Sequence, residues 1–71
     1  YYKKQLYDSA IAEFEACVEK EPDNPIFTYH LGLAHYKLGN FFKSEDALKK
    51  ALELQEDFPG AEDAREVLSR F

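Results

Sequence analysis

Three short breaks in helical sequence divide this chain, and they limit the folds that it can form. Two contain proline, EPDNP at residues 21–25 and DFPG at residues 57–60, and the third is the pair Gly39 and Asn40. Proline lacks a backbone N–H and glycine readily adopts the left-handed conformation that ends helices, so each break stops a helix. Between the breaks, apolar residues recur at helical spacing and nothing alternates with period two. The sequence therefore predicts an all-α fold.

The breaks leave four predicted helices, over residues 8–20, 25–38, 42–55 and 59–69. Asp23 or Asn24 is expected to cap the second helix, and Pro25 suits its first turn, where the missing N–H is not needed. Residues 1–4 are expected to be the last turn of an earlier helix. Because the connections are short, neighbouring helices should pack antiparallel.

Composition excludes several classes of function. The chain has 71 residues, enough for one small domain, and its one cysteine rules out an internal disulfide. A net charge of −5 argues against a nucleic-acid partner, which normally requires a basic surface. No apolar run approaches the roughly 20 residues of a membrane span. We therefore expect no nucleic-acid partner and no membrane span.

The sequence contains no recognisable catalytic or metal-binding set. His30 and His35 are five positions apart on one predicted helix, so they point in different directions and do not form the i, i+4 pair of a metal site. His35 is expected to lie in or near the core with a local hydrogen bond, whereas His30 is closer to a possible ligand. Cys17 lies on an apolar stripe and is expected to be a structural thiol. We expect no enzyme activity, no cofactor and no metal.

The chain also matches itself at an offset of 34 residues. Identities are few, but residue size and polarity agree at helical spacing and at both proline breaks. The matched pairs are Tyr2 with Tyr36, Lys3 with Lys37, Tyr7 with Phe41, Ala10 with Ser44, Phe14 with Leu48, Cys17 with Ala51, Val18 with Leu52, Glu19 with Glu53, Asp23 with Asp57 and Pro25 with Pro59. This period predicts a repeated helical hairpin.

With this period the sequence resembles the tetratricopeptide repeat, a helix–turn–helix motif of 34 residues. The motif positions present in this chain are Leu31, Gly32, Gly39, Phe41, Ser44, Leu48 and Ala51, preceded by Tyr7, Ala10, Phe14, Cys17 and Pro22. The departures are Thr28 at the large aromatic position, His35 at the tyrosine, Gln5 at the turn glycine and Glu56 at the closing proline. The resemblance implies an α-solenoid fragment with a half repeat over 1–24, one full repeat over 25–58 and a capping helix over 59–71.

The predicted second helix is apolar on two faces, and Gly32 interrupts it. A mid-helix glycine costs about 1 kcal/mol relative to alanine, so we expect close packing at Gly32 to offset that cost. In tetratricopeptide repeats the first helix of each repeat lines a concave groove that holds a peptide or protein. By resemblance, the groove residues here are Tyr2, Lys3, Ile26, Tyr29, Leu33, Tyr36 and Lys37. The alternative is that this stripe is plain core covered by adjacent helices.

The resemblance implies a protein-interaction module without catalysis. Some family members grip acidic tails through a clamp of lysine, asparagine and arginine. At those positions this chain has Ile26, His30, Gly60 and Ala64. These departures favour an apolar ligand.

Two alternatives remain open at the level of sequence. The same surface could pair two copies of the chain as a scaffold or homo-oligomer, or the domain could be an accessory segment of a larger protein. The amino end carries no polar cap, so we expect that earlier repeats or another copy cover it.

Overall fold

Four α-helices follow one another in the computed structural model, which describes the backbone of residues 2–71 and the side chains of residues 6–71. Their bounds are α1 (Tyr2–Lys20), α2 (Pro25–Leu38), α3 (Phe41–Leu54) and α4 (Ala61–Leu68). The described residues contain no strand, which confirms the predicted all-α, helical-repeat fold. Helix α2 packs against both α1 and α3, and α4 packs against α3.

Helix α1 is longer than the sequence predicts. It runs without interruption from Tyr2, so residues 2–4 form its first turn, and the expectation that they end a separate helix was wrong. Gln5 stands where the tetratricopeptide motif has its turn glycine. Glutamine is a good helix former and does not favour the left-handed conformation of a turn glycine. The helix therefore continues through the point at which the motif reverses the chain.

Helix α2 begins and ends where the sequence predicts. At its start, the Asn24 side-chain oxygen accepts a hydrogen bond from the Ile26 N–H at 3.0 Å, so Asn24 is the capping residue. At its end, Gly39 adopts φ of 94°, in the left-handed region. The Gly39 N–H donates to the Tyr36 carbonyl at 3.1 Å and thereby satisfies one of the last carbonyl groups of the helix.

Helix α4 begins two residues later than predicted. Gly60 has φ of 107°, which an α-helix cannot contain, so the chain turns through Pro59 and Gly60 before the helix starts at Ala61. The helix ends at Leu68, and Phe71 therefore lies beyond it. Helix α3 is displaced less, beginning and ending one residue before its predicted bounds.

The hydrophobic core lies between α2, α3 and α4. It consists of apolar residues that are less than a tenth exposed: Tyr29, Leu48, Ala51, Phe58, Ala61, Ala64 and Val67. Alanines supply three of these seven positions, so the helices approach closely and leave little room for larger side chains. On the last helix Ala61, Ala64 and Val67 are buried, whereas Phe71, which lies beyond its end, is 44% exposed.

Side chains of α3 pack directly against the backbone of α2 at Gly32. A Cβ atom at Gly32 would lie 2.8 Å from both Cγ and Cδ2 of Leu48 and 3.3 Å from Cβ of Ala47. The close packing expected at this glycine is therefore present, although side chains of α3 occupy the space and not its backbone. Leu48 is fully buried, so its neighbours in the core would have to accommodate any shift of its side chain.

Two hydroxyl groups in the core make no hydrogen bond. Thr28 and Ser44 are 2% and 0% exposed, and their hydroxyl oxygens have no partner. A buried polar group without a partner costs about 1–3 kcal/mol. Thr28 occupies the large aromatic position of the motif, so this departure replaces a filled apolar site with a small, unsatisfied polar one.

Replacing Gly32 by alanine should lower the free energy of unfolding by up to about 2 kcal/mol. The helix gains about 1 kcal/mol of propensity, but the overlap with the buried Leu48 side chain costs about 1–3 kcal/mol, because the surrounding core must repack. Urea unfolding followed by circular dichroism at 222 nm measures the difference. An increase in stability of about 1 kcal/mol, as at an exposed helix position, would show that the Gly32 contact is not tight.

Candidate partner-binding face of helix α2

Tyr29 lies at the centre of the contact between α2 and α4. It is 6% exposed, and its hydroxyl donates a hydrogen bond to Oδ2 of Asp63 at 3.0 Å. Burial raises the pKa of the Tyr29 hydroxyl, and the hydrogen bond to the Asp63 carboxylate and the negative charge of Asp63 raise it further. The hydroxyl therefore stays protonated and remains a donor at neutral pH.

The Tyr29 ring packs on the turn that leads into α4. Its centroid is 5.6 Å from that of Phe58 at an interplanar angle of 64°, an edge-to-face arrangement. A Cβ atom at Gly60 would lie only 2.5 Å from Cε2 of Tyr29. Gly60 thus has two reasons to be glycine, its left-handed backbone and the ring that lies against it.

The expectation that Tyr29 forms part of an open groove wall was wrong, because α4 covers it. The alternative interpretation, core covered by an adjacent helix, describes this residue. A tyrosine whose hydroxyl finds a carboxylate can be buried at little cost, so its polar tip does not have to remain in water. Tyr29 cannot contact a partner while α4 is in place.

The other α2 residues of the predicted groove keep part of their surface in solvent. Ile26, Leu33 and Tyr36 are half-buried and pack against the edge of the core, and Lys37 is exposed. The predicted groove also includes Tyr2 and Lys3, which belong to the first turn of α1. The side chains of these two residues lie outside the described part of the chain, so their placement stays a prediction.

Sequence reasoning missed three residues that lie beside Tyr36. Phe41, Arg70 and Phe71 line a cleft of about 110 Å³ together with Tyr36. Nη1 of Arg70 donates to the Tyr36 hydroxyl at 3.4 Å, and these two residues are 34 positions apart. The repeat period was the signal that could have found Arg70, because residues separated by one period occupy neighbouring positions on successive first helices.

His30 and His35 have different environments. His30 is exposed, and its ring stacks on Phe14 of α1 with centroids 5.4 Å apart and an interplanar angle of 16°. His35 is 6% exposed, and its Nδ1 lies 3.4 Å from Nδ2 of Asn40, which confirms a core histidine with a local polar contact. Within the described residues no three potential ligands come together as a metal site.

The pKa of His35 is lowered from its ordinary value. Burial is the largest cause, the positive charge of Lys43 on α3 acts in the same direction, and Glu15 on α1 opposes them. The imidazole is therefore neutral at neutral pH, when it can accept a hydrogen bond at Nδ1.

The four packed helices and the period of 34 residues define a helical-repeat protein. The sequence matches the family profile described as TPR repeat over residues 1–39 and the profile described as Tetratricopeptide repeat over residues 26–58. The chain belongs to the tetratricopeptide repeat family. Repeats of this family generally mediate protein–protein interactions and act as non-catalytic modules.

No curated protein and no solved structure matches the chain. Over residues 2–71, none of the helices combines the length and apolar character that crossing a membrane requires.

Replacing Tyr29 by phenylalanine should lower the free energy of unfolding by about 1 kcal/mol, because the hydrogen bond to Asp63 is lost while the ring packing is kept. The same substitution made in the Asp63→Ala background should cost little, and this coupling identifies the pair. Glu62→Ala is the matched control, since Glu62 is the neighbouring exposed carboxylate of the first turn. Equal costs of Tyr29→Phe in both backgrounds would contradict the proposed coupling.

Protonation of His35 should destabilise the fold. Its folded-state pKa lies below the unfolded value of about 6.5, so the unfolded chain binds the proton first as the pH falls. The stabilisation is complete above pH about 6.5 and decreases as the pH falls towards the folded-state pKa. Urea unfolding of the chain and of His35→Gln between pH about 7.5 and 5.5 should show a stability difference that depends on pH. His30→Gln, at the exposed histidine, is the control, and a pH-independent difference for His35→Gln would contradict the assignment.

Proposed function

We propose that the chain binds a peptide or protein segment along the face of α2 that α4 leaves open. Ile26, Leu33, Tyr36 and Lys37 form this face, and from the repeat period we expect Tyr2 and Lys3 to continue it. Tyr29 is buried beneath this face and binds α4 through its hydrogen bond to Asp63. The proposed role involves no catalysis, cofactor or metal, and the partner is a protein and not a nucleic acid.

The observation that carries the proposal is the partial exposure of a row of apolar side chains on α2. Leu33 and Tyr36 pack against the core on one side and keep the other side in solvent. Their spacing places them on one face of the helix, and an apolar patch that remains in contact with solvent is typical of an interaction surface. Family membership supports a protein partner, and the half-exposed face supports this position for it on the chain.

Replacing Ile26 or Leu33 by serine should abolish partner capture at temperatures where the variants remain helical, because each change removes a half-exposed apolar side chain from the face. Pull-down with the immobilised chain, followed by identification of the retained proteins, measures capture, and circular dichroism checks the fold. Lys49→Gln is the control, because Lys49 is exposed on α3 and pairs with Glu45 of the same helix. Tyr29 is unsuitable for this test, because truncating it would release α4. Unchanged capture by both serine variants would remove the groove from consideration.

Self-association is the second candidate, and exposed apolar residues favour it. Leu6 on α1 is 60% exposed and Phe42 on α3 is 81% exposed. Two copies that cover such surfaces would gain stability with concentration. Thermal unfolding at concentrations that span about a hundredfold discriminates the two functions, since self-association raises the midpoint with concentration and binding of a separate partner does not.

A further inference from the structure

Three aromatic rings from three separate elements meet at one corner of the molecule. Tyr36 lies in the last turn of α2, Phe41 begins α3, and Phe71 follows α4. The ring centroids are 5.6 Å apart for Tyr36 and Phe41, 5.9 Å for Tyr36 and Phe71, and 6.0 Å for Phe41 and Phe71. These are contact distances for aromatic pairs. Phe41 and Phe71 nevertheless remain 53% and 44% exposed, so the cluster presents an apolar surface to solvent.

The size of the cleft in this cluster limits what it can hold. Its volume is about 110 Å³. Sites for cofactors and drug-sized ligands measure about 300–1,000 Å³. The cleft therefore suits part of one side chain of a protein partner and is too small for a cofactor.

The charges around the cleft favour a carboxylate beside that side chain. Arg70 lines the cleft and makes only long contacts, at 3.4 Å to the Tyr36 hydroxyl and 3.9 Å to Oε1 of Glu66. A well-formed hydrogen bond from arginine to a carboxylate is about 2.7–2.9 Å long, so the guanidinium retains donors for a partner. Lys37, next to Tyr36 in sequence, is also exposed. Glu66 offsets part of the Arg70 charge, so it is the remaining N–H donors of Arg70 that favour a partner carboxylate at this cleft.

We infer that the Tyr36–Phe41–Phe71 cluster with Arg70 is an anchoring site for a partner segment that carries an aromatic or branched apolar side chain next to an acidic residue. The apolar side chain enters the cleft, and the carboxylate pairs with the Arg70 guanidinium. This inference rests on the proposed function and specifies the chemistry of the partner at one end of the α2 face. The aromatic rings give the site its apolar contact, and the arginine selects for the flanking charge.

Three synthetic peptides test the inference on the 71-residue chain. The first has a leucine–phenylalanine pair flanked by glutamates, the second has lysines in place of the glutamates, and the third keeps the glutamates but has alanines in place of the apolar pair. Titrations followed by amide NMR shifts report both affinity and position. The first peptide should bind at least about tenfold more tightly than the other two, weaken with added salt and shift the amides of Phe41 and Phe71.

Variants of the chain assign the binding energy to the cleft. Phe71→Ala should weaken the first peptide about tenfold or more, and Arg70→Gln should remove the preference for glutamates over lysines. Phe42→Ala is the matched control, because Phe42 is a neighbouring exposed phenylalanine that does not line the cleft. The inference is overturned if the first peptide does not bind at millimolar concentration, if the lysine peptide binds equally well, or if Phe71→Ala and Phe42→Ala have equal effects.

The outcomes separate this inference from the proposed groove. Shifts at Ile26 and Leu33 without shifts at Phe41 and Phe71 would leave the groove intact and overturn the cleft. If Phe71→Ala weakens binding of the first peptide while Leu33→Ser leaves partner capture unchanged, the cleft is supported and the proposed groove on α2 is overturned. If sedimentation shows that the chain is a dimer that Phe71→Ala disperses, the occupant is a second copy and the inference is overturned.

Discussion

The contact between Tyr29 and the segment that carries α4 determines much of this structure. Helix α4 has eight residues, and isolated helices of that length are not stable in water. It persists because Ala61 and Ala64 pack into the core while Asp63 accepts the Tyr29 hydroxyl bond at 3.0 Å. Once α4 is docked, the residues that follow it lie beside Tyr36 at the far end of α2. The anchoring cleft therefore depends on a hydrogen bond and a ring contact near the start of α4.

The period of 34 residues has a direct physical expression in the contact between α2 and α4. Tyr29 bonds to Asp63 and Tyr36 contacts Arg70, and each pair is 34 positions apart. Two contacts with the same offset at opposite ends of α2 require the two helices to run parallel and in register. Parallel packing follows when each is antiparallel to the α3 helix between them. Helix α4 thus occupies the position that the first helix of a following repeat would take.

The unusual apolar character of α2 follows from its central position. Helix α1 contacts it on one side, α3 on another, and the Tyr29 contact brings α4 onto a third. A helix with so many neighbours has little surface left for polar residues. The same crowding explains Gly32, which leaves space for Leu48, and it leaves the hydroxyl groups of Thr28 and Ser44 without partners. The half-buried residues that remain on α2 are those that no neighbouring helix covers completely.

The sequence by itself determined the helices and the repeat, because these depend on local backbone preferences and on spacing. Asn24, Gly39 and the proline turns end or start helices through their own chemistry, and the role of Gly32 followed from the cost of glycine in a helix. Spacing alone also placed Ile26, Leu33 and Tyr36 on one face. It did not show that the helix of Tyr2 continues through Gln5, where local propensity overrode the repeat pattern.

Only the tertiary structure decided which residues of that face are open. Tyr29 and Tyr36 have the same side chain on the same stripe, yet one is buried under α4 and the other lies at a solvent-exposed cleft. The difference arises because α4 has only eight residues and ends before it covers Tyr36. The residues that follow α4 then bring Arg70 and Phe71 into contact with Tyr36. Exposure depends on neighbours that are distant in sequence, and helical periodicity contains no information about where those neighbours end.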